Sequence, residues 1–222
     1  MYKRQIYDIP RFSEDLDFSL IRKRPVHPFK KVLERINAEL EHAGYEPYIS
    51  YNDKKAVNHS FVRFGSLLKE AGLSPLKEQK LSIKIEIDTD PPSGAAIETA
   101  IVNKYFPITF TTYDKASLLS GKLHALAGRK YTKGRDLFDL IWYLSKWKDI
   151  APNIAFLKNA LKQTGFKGEA PSKSTWKRFT AGIVNKCDWP KAVSDVEPFL
   201  ENPSDIKLLK KENVLKLLEE RG

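Results

Sequence analysis

The densest group of residues able to do chemistry is Arg11-Phe12-Ser13-Glu14-Asp15-Leu16-Asp17-Phe18, in which two carboxylates flank one apolar residue. On a strand, residues i and i+2 share a face, roughly 6.6 Å apart along the chain. Two carboxylates so placed can hold a divalent cation or bridge a metal pair, as phosphoryl-transfer sites do. Exposed strand faces also carry such pairs for solvation alone, so the isolated Asp-x-Asp decides little. A second acidic run, Lys84, Glu86 and Asp88, alternates with Ile83, Ile85 and Ile87. A third carboxylate beside an Asp pair completes a ligand set of hard oxygens suited to magnesium, and crowded negative charge is costly without a cation.

A third constellation is Gly121-Lys122-Leu123-His124-Ala125 followed by Lys133-Gly134-Arg135-Asp136-Leu137-Phe138-Asp139-Leu140. Lys122 sits in a largely apolar helical pattern. There it either snorkels to water or presents a fixed positive charge to a phosphate. Asp136 and Asp139 fall in or near a first helical turn, where acids meet the helix dipole favourably, so capping explains them equally well. Arg135 could pair with either. His27, His42, His59 and His124 share no spacing and have no nucleophile pattern, which excludes a hydrolytic triad. Cys187, the only cysteine, reads as an ordinary thiol and excludes an internal disulfide or a structural zinc cage.

Several elements must position these residues. Leu16 to Leu20 alternates as a half-buried strand, and His27 to Ala43 repeats apolar residues at helical spacing up to Gly44. Tyr45 to Tyr51 and Val57 to Leu67 flank the polar turn Asn52-Asp53-Lys54-Lys55 as a hairpin. Lys80 to Asp90 is the clearest strand, ended by Pro91-Pro92-Ser93-Gly94. Ile108 to Thr112 predicts a further strand, and Asp114 caps a helix from Lys115 to Ala127. Arg135 to Trp147 is amphipathic, and helices are expected over about 152–164, 174–186, 189–200 and 204–220. The pattern predicts an α/β (α+β) fold: a mixed sheet over residues 1–112, then a helical part over 113–222.

The 222 residues carry a net charge of +10, unevenly spread. Residues 1–112 hold 17 Lys/Arg against 15 Asp/Glu, and residues 113–222 hold 21 against 13. A basic helical half favours a polyanionic partner, because each neutralised phosphate releases counterions. No apolar run approaches the roughly 18 residues of a membrane span, and no signal-peptide pattern follows Met1, so a soluble cytoplasmic protein is expected.

Taken in order, Pro10-Arg11-Phe12-Ser13-Glu14-Asp15-Leu16-Asp17-Phe18, Lys84-Ile85-Glu86-Ile87, Gly121-Lys122-Leu123-His124-Ala125 and Gly134-Arg135-Asp136-Leu137-Phe138-Asp139-Leu140 resemble the AbiEii/AbiGii toxin family across about residues 6 to 145. The resemblance implies a polymerase-β-like nucleotidyltransferase core, a mixed sheet with flanking helices, followed by a C-terminal helical part. It implies a toxin of a bacterial toxin-antitoxin or phage-defence system that moves a nucleoside monophosphate from an NTP to an RNA acceptor, for some members tRNA. Magnesium, the NTP and a cognate antitoxin are the implied cofactor and partners, with no membrane involved. By position, Asp15, Asp17 and Glu86 would hold metal, with Asp88 the lesser choice for the third acid. Lys122, Ser13 and Arg135 would bind nucleotide, Asp136 would orient Lys122 or the acceptor, and Asp139 would support it.

The family also carries a glycine-rich element about fifteen residues before the acidic pair, whose backbone N–H groups cradle phosphates. Here only Ile6-Tyr7-Asp8-Ile9 follow Met1 to Gln5 before Pro10-Arg11. The expectation is an N-terminally truncated or decayed member. A second reading is a catalytically inactive protein that binds RNA or an antitoxin without chemistry.

Overall fold

The computed structural model describes residues 6–23, 28–76, 78–103 and 106–221. The described residues divide into two compact units, one spanning Ser13–Pro91 and the other joining residues 6–12 to residues 92–221. This partition falls about twenty residues before position 112, so the strands after Pro91 group with the helices.

The first unit is a four-stranded mixed sheet with a helix on one face. Its strands are β1 (Asp15–Ser19), β2 (Pro47–Asn52), β3 (Val57–Phe64) and β4 (Leu81–Asp88), in the order β1-β4-β3-β2. β1 runs parallel to β4, and the other pairings are antiparallel. Helix α1 (Phe29–His42) places Phe29, Leu33, Ile36 and Leu40 one above another. It packs them on Ile49, Val62, Phe64, Ile85 and Ile87. Gly44 ends the helix at φ +84°, a left-handed conformation that glycine adopts without cost. Arg24 to His27, where the helix was expected to begin, lie outside the described residues. The β2–β3 hairpin forms as expected, and Asn52 Oδ1 accepts from the Lys54 amide in its turn. A single turn, α2 (Leu67–Glu70), follows β3.

The period-two pattern of β4 has a direct consequence. With Ile85 and Ile87 committed to the α1 side, Lys84, Glu86 and Asp88 share the opposite face.

In the second unit β5 (Ile97–Asn103) and β6 (Pro107–Tyr113) form a two-stranded antiparallel sheet. β5 went unforeseen because Ile97 and Ile101 are exposed and the run has no clean alternation. Asp114 caps α3 (Lys115–Gly128), accepting from the Ser117 amide at 2.8 Å. Then come α4 (Gly134–Lys146), α5 (Ile154–Gln163), α6 (Trp176–Val184), α7 (Trp189–Val196) and α8 (Lys211–Glu219).

α4 is central to this unit. Leu137, Leu140 and Tyr143 are completely buried, packed among Leu119 and Leu123 of α3, Leu157 of α5 and Val196 of α7. Each such leucine contributes about 1.5–3 kcal/mol on burial. Arg221 closes the end of α4, donating to the carbonyls of Leu144 at 2.8 Å and Trp147 at 2.5 Å.

Two helical expectations are corrected. The run over 189–200 stops at Val196, because Pro198 has no amide to continue it, and Glu197–Phe199 is a 3-10 turn. The run over 204–220 divides into a 3-10 turn, Pro203–Leu208, and α8. The break leaves Leu209 buried and the Leu208 carbonyl accepting from Asn213 Nδ2.

Candidate functional site

The parallel pairing of β1 with β4 sets Asp15 opposite Lys84 and Asp17 opposite Glu86. One carboxylate oxygen from each of Asp15, Asp17 and Glu86 lies within 4.8 Å of the others. Asp17 is exposed, and Asp15 and Glu86 are half-buried. Asp88 is occupied differently, accepting from the Asp90 amide at 3.0 Å.

The electrostatics of this cluster show its crowding. Partial burial, then the neighbouring Asp17 and Glu86, push the Asp15 carboxyl above its usual range, although Lys84 works against them. Lys84 Nζ sits 2.6 Å from Glu86 Oε1, and this contact holds the ammonium pKa up. The donor set consists of hard oxygens with more negative charge than one lysine balances, which fits a divalent ion such as magnesium. Ser13 stands half-buried just ahead of β1, and its hydroxyl makes no hydrogen bond among the described residues.

In the second unit Lys122, Asp136 and Asp139 come together at the contact of α3 with α4. Lys122 Nζ lies 2.7 Å from Asp136 Oδ1 and 2.7 Å from Asp139 Oδ2. Arg11 grips Asp139 through both oxygens, and Arg129 Nε stands 3.2 Å from Asp136 Oδ2. Three cations thus surround two buried carboxylates. Burial acts to lower the Lys122 ammonium, but Asp139 and Asp136 outweigh it and hold its pKa above the ordinary value. Burial likewise acts to raise Asp139 and Asp136. Lys122 with Arg11 in the first case, and Lys122 with Arg129 in the second, overcome it and hold both carboxyls low.

Both acids therefore do more than cap α4. Spacing alone marks neither Arg11, whose partner Asp139 lies 128 residues away, nor Arg129, whose contact with Asp136 spans the loop between α3 and α4. Arg135, which could pair with either acid on sequence alone, lays its guanidinium 4.1 Å over the Phe199 ring. His124 shares a hydrogen bond of 3.0 Å with the Thr164 hydroxyl, and burial lowers its pKa.

Gly134 is fixed by packing. A Cβ there would meet the Ala192 carbonyl oxygen of α7 at 1.9 Å, and the Gly134 amide donates to Asp195 Oδ2 at 2.8 Å.

No helix among the described residues is long and apolar enough to cross a membrane. No curated protein and no solved structure matches the chain. One family model does, over residues 4–211, and it covers all four motifs and most of the helical part. On that match the chain belongs to the nucleotidyl transferase AbiEii toxin family of type IV toxin-antitoxin systems.

Proposed function

We propose that this protein transfers a nucleoside monophosphate from an NTP to a hydroxyl of an RNA acceptor, tRNA being the leading choice, in a magnesium-dependent reaction. The observation that carries the reading is the closeness of the Asp15, Asp17 and Glu86 carboxylates on one sheet face. These three residues would hold the metal. When bound, it supplies polarisation of the α-phosphate, a more acidic acceptor hydroxyl and neutralisation of the leaving group.

The acceptor oxygen bonds to the α-phosphorus as the bond to the bridging oxygen breaks. Pyrophosphate leaves and the hydroxyl proton passes to water. Lys122 is assigned to the triphosphate on the family pattern, with Asp136 and Asp139 each 2.7 Å from its ammonium. Asp136 and Asp139 then act as positioning residues, holding that ammonium charged and aimed. Ser13 and Arg135 are assigned to nucleotide binding.

In the cell this reading makes the protein a cytoplasmic toxin restrained by a cognate antitoxin and deployed in phage defence. The test is incubation with each α-labelled NTP, magnesium and total bacterial RNA. Label entering RNA, lost with EDTA and in Asp17→Asn, is the expected result. RNA binding without label in the wild type, or equal labelling by Asp17→Asn, would overturn it.

A further inference from the structure

The second unit contains a cavity of about 420 Å³ to which the proposed chemistry gives no role. It lies between the C-terminal end of α3, the loop after it and α6. Its size falls within the roughly 300–1,000 Å³ typical of sites that hold a small molecule or one monomer of a polymer. Half-buried Leu126, Phe179 and Ile183 line it with apolar surface. Lys130, Arg178 and Lys186 line it too, are exposed, and make no ion pair among the described residues. Glu169 is the one acid in the lining, against these three cations and Arg129.

Apolar and aromatic surface under unpaired cations matches a nucleotide unit, with a base on the rings and phosphates on the ammonium and guanidinium groups. A smaller depression of about 130 Å³ shares Glu169, Arg178 and Phe179 with the cavity, so the binding surface continues past a single unit. That continuity favours a strand over a free nucleotide. Arg129 joins the cavity lining to the Lys122 pair through its contact with Asp136, so an occupant would sit one side chain from that network.

We infer that this cavity binds an unpaired nucleotide of a single-stranded RNA segment and thereby anchors the acceptor. The assignment rests on the reading of RNA as the acceptor.

Cys187 lines the cavity and is the only cysteine, so its alkylation rate reports occupancy. Burial raises its pKa, so the reaction is best followed under mildly alkaline conditions. The full chain is treated with iodoacetamide in EDTA, without NTP, in the presence of a ten-nucleotide single-stranded RNA, AMP at the same nucleotide concentration, or polyglutamate of equal charge. The RNA should slow alkylation at least threefold, with AMP and polyglutamate having little effect. Arg178→Glu and Lys186→Glu should each weaken RNA binding about tenfold by fluorescence anisotropy and flatten its salt dependence by roughly one phosphate contact, with unchanged melting curves.

Protection by AMP equal to that by RNA would make the cavity a free-nucleotide site and overturn the assignment. Protection by polyglutamate would reduce it to an unspecific basic patch, with the same result. Full-strength RNA binding by both variants would also overturn it. Because no metal or NTP is present, the two readings fail separately. Lost labelling with intact protection removes the transfer chemistry, whereas intact labelling without protection removes the anchor.

Discussion

Arg11 holds Asp139 with two parallel hydrogen bonds, Nε to Oδ1 at 2.6 Å and Nη2 to Oδ2 at 2.7 Å, tying the segment before the acidic pair to the middle of α4. A bidentate guanidinium–carboxylate pair fixes orientation as well as charge. Asp139 is almost wholly buried and shares Lys122, so neutralising it leaves two cations short of a partner. Removing one member of such a buried cluster costs about 3–5 kcal/mol. Asp139→Asn should therefore lower the urea midpoint well below that of the wild type. A change under about 1 kcal/mol, the usual size for an exposed pair, would show that the cluster adds little to folding.

The same cluster sets an acid response. Asp139 and Asp136 both have folded pKa values below their unfolded ones, so their stabilisation is fully present above about pH 4, the unfolded aspartate value. It is lost as pH falls further, toward the depressed folded values. Urea melts at pH 7, 4 and 3 should show wild-type stability dropping most steeply over the lowest interval. In Asp139→Asn that drop should be shallower, because one of the two protons taken up on unfolding is gone. Equal slopes in the two proteins would contradict the assignment of acid sensitivity to this cluster.

The carboxylates of the first unit predict the opposite mutational behaviour. Asp17 is exposed and crowded by like charge, so Asp17→Asn should leave metal-free stability unchanged or slightly raised. Millimolar magnesium or manganese should raise the melting temperature of the wild type and not of this variant. Lys84 competes with a metal for Glu86, so Lys84→Met should tighten metal binding roughly threefold to tenfold by removing a cation from the site. Metal binding weakened by Lys84→Met would mean that the lysine organises the carboxylates instead of competing for one of them.

How much of this could be read from the sequence depends on the range of the interaction. The isoleucine alternation in β4, the Asp114 cap and the β2–β3 hairpin follow from rules that act over two to four residues. Alternation alone leaves Glu86 and Asp88 equivalent, since both point away from Ile85 and Ile87. The register separates them, because only the pairing of β1 with β4 sets Asp17 opposite Glu86. Nor does a helical run of polar and apolar residues reveal that Lys122 is neutralised by acids fourteen and seventeen positions later and shares them with Arg11 and Arg129. The basic excess of the second half is visible by counting. That Lys130, Arg178 and Lys186 converge on one cavity depends on how α3 and α6 pack.

Gly134 gives a prediction that separates packing from chemistry within one motif. Its neighbour but one, Asp136, belongs to the charged cluster, but Gly134 carries no reactive group and its φ is not in the left-handed region. What it provides is space: the α4 backbone approaches α7 so closely that a methyl group would overlap the Ala192 carbonyl. Gly134→Ala must push α7 outward or shift the start of α4, and overpacking of this kind costs about 1–3 kcal/mol. The small helix-propensity gain of alanine, under about 1 kcal/mol, does not offset it. Displacing α4 would also lengthen the hydrogen bond from the Gly134 amide to Asp195. The variant should therefore unfold at lower urea concentration, while transfer activity per folded molecule, measured well below its melting temperature, stays within a few-fold of wild type. Wild-type stability with activity abolished would invert that assignment and place the Gly134 backbone in the nucleotide site.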